Sequence, residues 1–295
     1  MKRSTFAAFA LAAALGFTQS AGAQESGTLK KIRDSGSITI GHRDASVPFS
    51  YYDDKQQPIG YSIDLCREIV DAVAEELGFA QLAITWRAVT PESRIRAVVE
   101  GEIDLECGST TSTAERQRQV AFSPVFFLAG TKLLVPRDSP VRSLRDLAGR
   151  TVVATAGTTN EAAIRTLSER QNLGIRLVTE PDHAASFAKL AGGGADAFAS
   201  DDVLLHGLIA RAPGGDGFRV AGPLLSYEPY ALMFRRGDPA FAALVGRTFE
   251  RLARERALGE IYGRWFSRRL PTGELLGLPM SPQLTELFRM LGAPD

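Results

Sequence analysis

The sequence predicts an α/β protein of two similar halves, each a mostly parallel sheet flanked by helices. Three observations carry this expectation. Short β-type runs alternate with segments whose apolar residues recur at helical spacing. The alternation runs once from Ser37 to Cys107 and restarts at Thr151. Two extended apolar stretches, 122–135 and 230–234, lie where the chain would pass between the halves.

Each element has a local reason. Ser37-Ile-Thr-Ile-Gly41 is a short strand ending in a polar loop that holds Arg43 and Asp44. Ile63, Cys66, Ile69, Val70, Val73 and Leu77 then recur on one helical face, and Gly78 is a natural stop. Leu82 to Trp86 reads as the next strand. Pro91 is expected to open a helix with Ile95, Val98 and Val99 inward and Gly101 at its end. Ile103 to Cys107 is a third strand.

The second half repeats the plan. Thr151 to Thr155 is a strand, Gly157-Thr158-Thr159 a loop and Asn160 to Arg170 a helix. Ile175 to Thr179 is a strand, and His183 to Ala191 a helix stopped by Gly192-Gly193-Gly194. Ala195 to Ser200 is the next strand, with a helix from about Asp202. Strand C-termini, loops and helix N-termini thus share one edge in each half, where open α/β sheets bind ligands. Two such edges facing each other make a cleft. If both extended stretches cross between the halves, the helix Phe241 to Ala257 returns to the first, and the paired crossings form a hinge.

Composition narrows the function. The 295 residues carry 34 Lys plus Arg against 34 Asp plus Glu, which excludes the basic surplus of a nucleic-acid binder. With 44% hydrophobic and 23% charged residues the chain is an ordinary globular one. Residues 1–23 read as a cleavable signal peptide. Lys2 and Arg3 form its positive start, Phe6 to Phe17 its apolar run, and Ala21-Gly22-Ala23 its small-residue cleavage site. That run is about 12 residues, short of the roughly 20 needed to span a bilayer. The mature protein should begin near Gln24 and be exported in soluble form, with a net charge of −2 once Lys2 and Arg3 are removed. In an oxidising compartment Cys66 and Cys107 allow one bridge, and two buried free thiols are the equal alternative.

Three groups of residues carry a resemblance. They are Gly41-His-Arg-Asp-Ala-Ser-Val-Pro-Phe-Ser-Tyr51, Ile59-Gly-Tyr-Ser-Ile-Asp64, and Glu106-Cys-Gly-Ser-Thr-Thr111 with Glu115-Arg116. They resemble the periplasmic amino-acid-binding proteins of ABC importers, the family 3 extracellular solute-binding proteins. Gly157-Thr-Thr159, Asp182-His183 and Asp201-Asp202 resemble its glutamate/aspartate-binding branch. The likeness implies the two-lobed type II periplasmic-binding-protein fold with two hinge strands. Lobe 1 would comprise 24–128 and 232–295, lobe 2 would comprise 129–231, and the hinges would fall near 126–131 and 228–232. It implies a monomeric receptor in a Gram-negative periplasm, without cofactor, metal or catalysis. That receptor would hand L-glutamate or L-aspartate to an inner-membrane ABC permease.

The residues can be argued one by one. An acidic amino acid offers two carboxylates and an ammonium. Arg116 presents a planar fork to the α-carboxylate, and the family pattern singles it out from its neighbour Arg118. Ser109 and Thr111 follow a strand C-terminus and can point into the crevice, or else cap the turn before Glu115. Thr159 repeats that arrangement and would reach the same carboxylate from the opposite lobe, with Asn160 as a competing cap. Asp201 is the ammonium partner, with N-capping as its other role and Asp202 as its rival. Arg43, Arg94 and His183 match the branch's donors for a side-chain carboxylate, although each alone would be an ordinary surface residue. Pro91 stands where that branch typically offers a hydroxyl. Three arginines and one aspartate give a site charge of +2, which favours an acidic ligand. A protonated His183 would make binding weaken as pH rises.

Two other readings stay open. The same fold hosts a cyclohexadienyl dehydratase activity, and another polar amino acid such as glutamine could be the ligand. No Gly-x-Ser-x-Gly elbow, His-Glu-x-x-His, P-loop or dinucleotide fingerprint occurs in the chain.

Overall fold

The computed structural model describes residues 27–294, so the leader assigned to 1–23 lies outside the described residues. The first half comprises α1 (Thr28–Ser35), β1 (Ser37–His42), β2 (Ala45–Ser46), β3 (Ser50–Tyr52), β4 (Pro58–Ile59), α2 (Tyr61–Leu77), β5 (Ala83–Ala88), α3 (Arg94–Val99), β6 (Leu105–Glu106) and β7 (Val120–Phe122). β8 (Phe127–Ala129) leads to the second half. There the chain forms β9 (Thr131–Pro136), β10 (Thr151–Thr155), α4 (Thr159–Arg170), β11 (Arg176–Glu180), α5 (His183–Ala191), β12 (Ala197–Asp201), α6 (Asp202–Arg211) and β13 (Phe218–Ala221). β14 (Glu228–Tyr230) returns to β15 (Met233–Arg235), α7 (Pro239–Arg254), α8 (Ala257–Tyr262) and α9 (Pro282–Met290).

The two main sheets share one plan. One runs β5-β1-β6-β15-β7, the other β11-β10-β12-β9-β13. In each, three parallel strands carry the β-α-β units, and two antiparallel strands extend the sheet on one side. β8 and β14 form a separate antiparallel ribbon between them, pairing Ala129 with Glu228 and Phe127 with Tyr230. Both passages between the sheets therefore run through one two-stranded connection.

Apolar burial fixes the layers. α2 buries Ile63, Leu65, Cys66, Ile69, Val70 and Val73, and ends where Gly78 takes φ 74°, a left-handed stop that suits glycine. α7 is capped by the Asp238 carboxylate, which accepts from the Phe241 N–H. It lays Phe241, Leu244, Val245, Phe249 and Leu252 against the first half, beside α2. Each large apolar side chain so buried contributes roughly 1.5–3 kcal/mol. Phe49, Tyr61, Phe126, Phe127, Tyr230 and Phe266 form an aromatic cluster beneath the connecting ribbon. Cys66 and Cys107 are bridged, tying α2 to the end of β6 across 41 residues of sequence. Of the two states that the sequence allowed, the disulfide is the one present.

Several expectations need correction. Pro91 does not open a helix. Residues 91–93 form a turn held by Thr90 and Ser93, whose hydroxyls accept each other's N–H, and α3 begins at Arg94. Val99 is 51% exposed rather than inward, because a six-residue helix buries only Arg94, Ala97 and Val98. The strand expected over Ala195 to Ser200 starts at Ala197 and includes Asp201. The apolar stretch 122–135 is not one element but three strands.

Candidate ligand-binding cleft

The eight sequence-selected residues fall on strand ends and helix starts of both halves. Arg43 follows β1, Ser109 and Thr111 follow β6, Arg94 starts α3, and Arg116 begins a short 3₁₀ turn. Thr159 and His183 are the first residues of α4 and α5, and Asp201 ends β12. Seven are buried and Thr159 is half-buried, whereas the neighbouring Arg96 and Arg118 are exposed. That contrast separates the selected arginines from plain surface ones.

Arg116 spans the two halves. Its Nη1 donates to the Thr111 carbonyl at 3.0 Å and its Nη2 to the Gly157 carbonyl at 3.2 Å. Gly157 takes φ 73° and a Cβ there would meet Glu92, so the turn that presents this carbonyl requires glycine. Burial, and then the charge of Arg94, lower the Arg116 pKa to about 10. Arg43 is likewise lowered to about 10, first by burial and then by Arg94. Burial also lowers Arg94, whose Nη1 donates to the Ser109 carbonyl at 3.5 Å. The Arg43 Nη1, Arg94 Nε and Ser109 Oγ atoms are buried and have no hydrogen-bond partner among the described residues.

The surroundings of His183 favour its neutral form. Burial and the charges of Arg43 and Arg94 push its pKa well below the usual 6.5, and its Nδ1 lies 2.8 Å from the Thr155 hydroxyl. Asp201 accepts from Asn160 Nδ2 at 2.8 Å and from the Tyr230 hydroxyl. Burial, then the charge of Glu228, raise its pKa to about 7. It makes no side-chain cap. Asp202 instead accepts from the Gly130 and Val203 N–H groups, so it serves the start of α6 and the connecting ribbon. Ser109 and Thr111 do not cap the turn after Glu115. Thr113 Oγ1 accepts the Arg116 N–H there. Asn160 does not cap α4 either, since Thr158 accepts from the Glu161 N–H.

Two buried carboxylates were absent from the sequence-based site. Glu228 accepts the hydroxyls of Thr111 at 2.7 Å and Thr159 at 2.6 Å. Glu106 accepts from the Thr110 hydroxyl at 2.7 Å, and its other oxygen has no partner. A Cβ at Gly108 would meet both Glu106 Oε1 and Arg43 Cγ, which places that carboxylate beside Arg43. The site charge is therefore not +2. Arg43, Arg94 and Arg116 lie among three buried carboxyl groups, Glu106, Asp201 and Glu228, and Asp44 and Asp182 also act on Arg43. The available signal was a lone acid within an apolar run, since Glu228 sits two residues before Tyr230.

Two sheet units joined by a paired crossing, with ionic side chains gathered from both, define a two-lobed binding protein of the type II periplasmic-binding-protein fold. The chain belongs to the bacterial extracellular solute-binding proteins, family 3, whose family model matches residues 38–268. It is 42% identical over 264 residues to the L-glutamate/L-aspartate-binding protein of Pseudomonas aeruginosa, covering 89% of this chain and 87% of that one. It is 37% identical over 283 residues to the glutamate/aspartate import solute-binding protein of Escherichia coli, covering 96% and 94%. Among solved structures, it resembles an ancestral amino acid-binding protein described as a precursor of cyclohexadienyl dehydratase. The TM-score is 0.69 and the identity 25%, over 81% of this chain and 99% of that one.

Proposed function

We propose that this protein binds L-glutamate or L-aspartate in the interlobe cleft and delivers it, in the periplasm, to an ABC importer of the inner membrane. The observation that carries the acidic ligand is the set of buried, unpartnered donors on Arg43, Arg94 and Ser109. Around them Arg43 and Arg94 share Glu106, with Asp44 and Asp182 also acting on Arg43. A side-chain carboxylate accepts those hydrogens through both oxygens, whereas an amide offers one oxygen and sets its own NH₂ against donors. Arg116 takes the α-carboxylate, assisted by the N-terminal amides of the 12-residue α4. Asp201 takes the ammonium. The names of both sequence relatives support the same ligand pair.

Lobe 1 is assigned to 24–128 and 232–295 and lobe 2 to 129–231, closing about β8 and β14 as a monomer. The protein performs no chemistry on its ligand. Isothermal calorimetry with glutamate, aspartate, glutamine and asparagine tests the reading. One-to-one binding of an acidic ligand, abolished in Arg116→Ala, is expected. Tighter binding of an amide refutes the acidic assignment, and turnover of prephenate or arogenate refutes the receptor.

A further inference from the structure

α6 carries a glycine in its interior, Gly207, where alanine would make the better helix. Gly207 is buried, and its backbone is not in the left-handed region that favours glycine. What it leaves room for is the other half of the molecule. A Cβ on Gly207 would stand 2.3 Å from the Val47 carbonyl oxygen and 2.9 Å from the carbonyl carbon, in the turn after β2. Both are backbone atoms, which cannot swing aside as the tip of a side chain can.

This contact belongs to a longer seam. Leu205 and Leu208 of α6 pack with Leu134, Val153 and Phe198 in a cluster of the second half. Val203 and Leu204 instead join the cluster of the first half that holds Val47 and Phe49. Gly207 lies three and four residues further along that second face, and Arg211 four beyond it, so all four share one stripe. The Arg211 guanidinium lies 5.0 Å from the Tyr51 ring centroid, and its Nη2 donates to the Tyr52 carbonyl at 3.1 Å. α6 starts at the connecting ribbon, where Asp202 accepts the Gly130 N–H. At 1.5 Å per residue, Gly207 is about 9 Å and Arg211 about 15 Å along the helix from Asp201. The far end of the seam therefore parts most when the halves rotate about the ribbon. None of its residues is among the eight proposed for the ligand.

We propose that Gly207 is a positioning residue for closure. Its missing side chain lets α6 seat on the Val47 carbonyl, that backbone contact sets how far the lobes close, and Arg211 secures the seated position on Tyr51 and Tyr52. The proposal rests on the receptor reading above, in which the lobes close about β8 and β14. A methyl group on Gly207 would have to push the Val47 carbonyl back by about 1 Å to reach ordinary van der Waals contact. An opening of that size stretches every hydrogen bond that a ligand makes to both lobes at once. The seam touches no ligand atom, so its effect falls on all ligands alike.

The signature is a variant that folds at least as well and binds worse. In Gly207→Ala the free protein should resist urea as well as the wild type or better, with a folding constant up to about fivefold larger, because its helix gains an alanine. Calorimetry should show the Kd values of L-glutamate and L-aspartate both rising at least ~10-fold and by a common factor, the loss of one charged hydrogen bond. A glycine needed for packing within its own half would instead lower the stability of the free protein, and that result overturns the proposal. A Kd within about twofold of wild type, the scatter of independent effects, overturns it too. Small-angle X-ray scattering should show the wild type contracting when glutamate is added and Gly207→Ala contracting less, and equal contraction is a further refuting result. Arg211 is exposed, so Arg211→Ala leaves folding intact and decides the matter if Gly207→Ala does not fold. Stopped-flow displacement should then show both ligands leaving about 2–5-fold faster, the worth of an exposed cation–π contact, and unchanged rates are the refuting outcome. Failure of the wild type to bind any amino acid overturns the receptor reading itself and is distinguishable from an unmoved Kd in the variants.

Discussion

Binding of the acidic amino acid should release a proton near neutral pH, and Asp201 is its source. Burial and Glu228 hold the Asp201 pKa near 7, far above its usual 3.8, while an ammonium partner requires the ionised form. With a midpoint near 7, the apparent Kd should worsen about tenfold for each pH unit below it and level off above about pH 8. His183 adds nothing to this slope, because its pKa is already depressed and its neutral form persists through the window. The assay is calorimetry at pH 7 in several buffers of different ionisation enthalpy. The slope of observed enthalpy against buffer enthalpy should report about half a proton released. Asp201→Asn should remove that slope and weaken binding. For the free protein the sign is the reverse of the usual carboxylate case. A raised pKa means that the folded state binds more protons than the unfolded state between about pH 4 and 7, so this group's contribution to stability falls as pH rises through that range. A buffer-independent enthalpy with a flat Kd from pH 6 to 8 would refute the ammonium–Asp201 pairing.

Two further outcomes follow from the same geometry. Arg43→Ala and Arg94→Ala should each weaken glutamate roughly 10–100-fold while changing glutamine far less, since each removes a charged donor to the side-chain carboxylate. Equal losses for both ligands in parallel titrations would place these arginines in the fold rather than in specificity. Reducing the Cys66–Cys107 bridge, or replacing both cysteines by serine, should lower stability by about 4 kcal/mol from loop closure alone. Urea denaturation with and without reductant measures it, and an unmoved midpoint contradicts the bridge.

The elements most legible in the sequence were those whose cause is local. Thr151–Thr155 and His183–Ala191 fall where the sequence pattern puts them, because a β-branched run and helical periodicity are both carried by neighbouring residues. Short elements were less legible. α3 has too few turns for periodicity to separate Val98, which is buried, from Val99, which is exposed. The eight residues proposed for the cleft were selected by resemblance to a family pattern, and each lies at or just after a strand end or at a helix start. The hydrogen bonding of the cleft could not be read. Glu228 meets Thr111 across 117 residues and Thr159 across 69, and no spacing rule reaches that far. Glu106 lay inside a recognised motif, but its role beside Arg43 depends on Gly108, which lets the two approach.

The balance of three arginines against three acids changes how selectivity must arise. A site of net positive charge would draw any anion, and an ordinary surface field would suffice. Here three carboxyl groups, one of them Asp201 with a pKa near 7, offset most of that charge, so preference depends on where the charges lie. The unpartnered donors of Arg43 and Arg94 mark one end, and the carboxyls of Asp201 and Glu228, which feel each other's charge, mark the other. A dipolar ligand with a second carboxylate matches that arrangement in only one orientation. Reversing it would set its ammonium against two buried arginines, a like-charge contact that costs several kcal/mol. Glutarate, lacking the ammonium, leaves the Asp201 end unanswered. On this argument the two carboxylates that the sequence did not single out turn a site that attracts anions into one that recognises an amino acid.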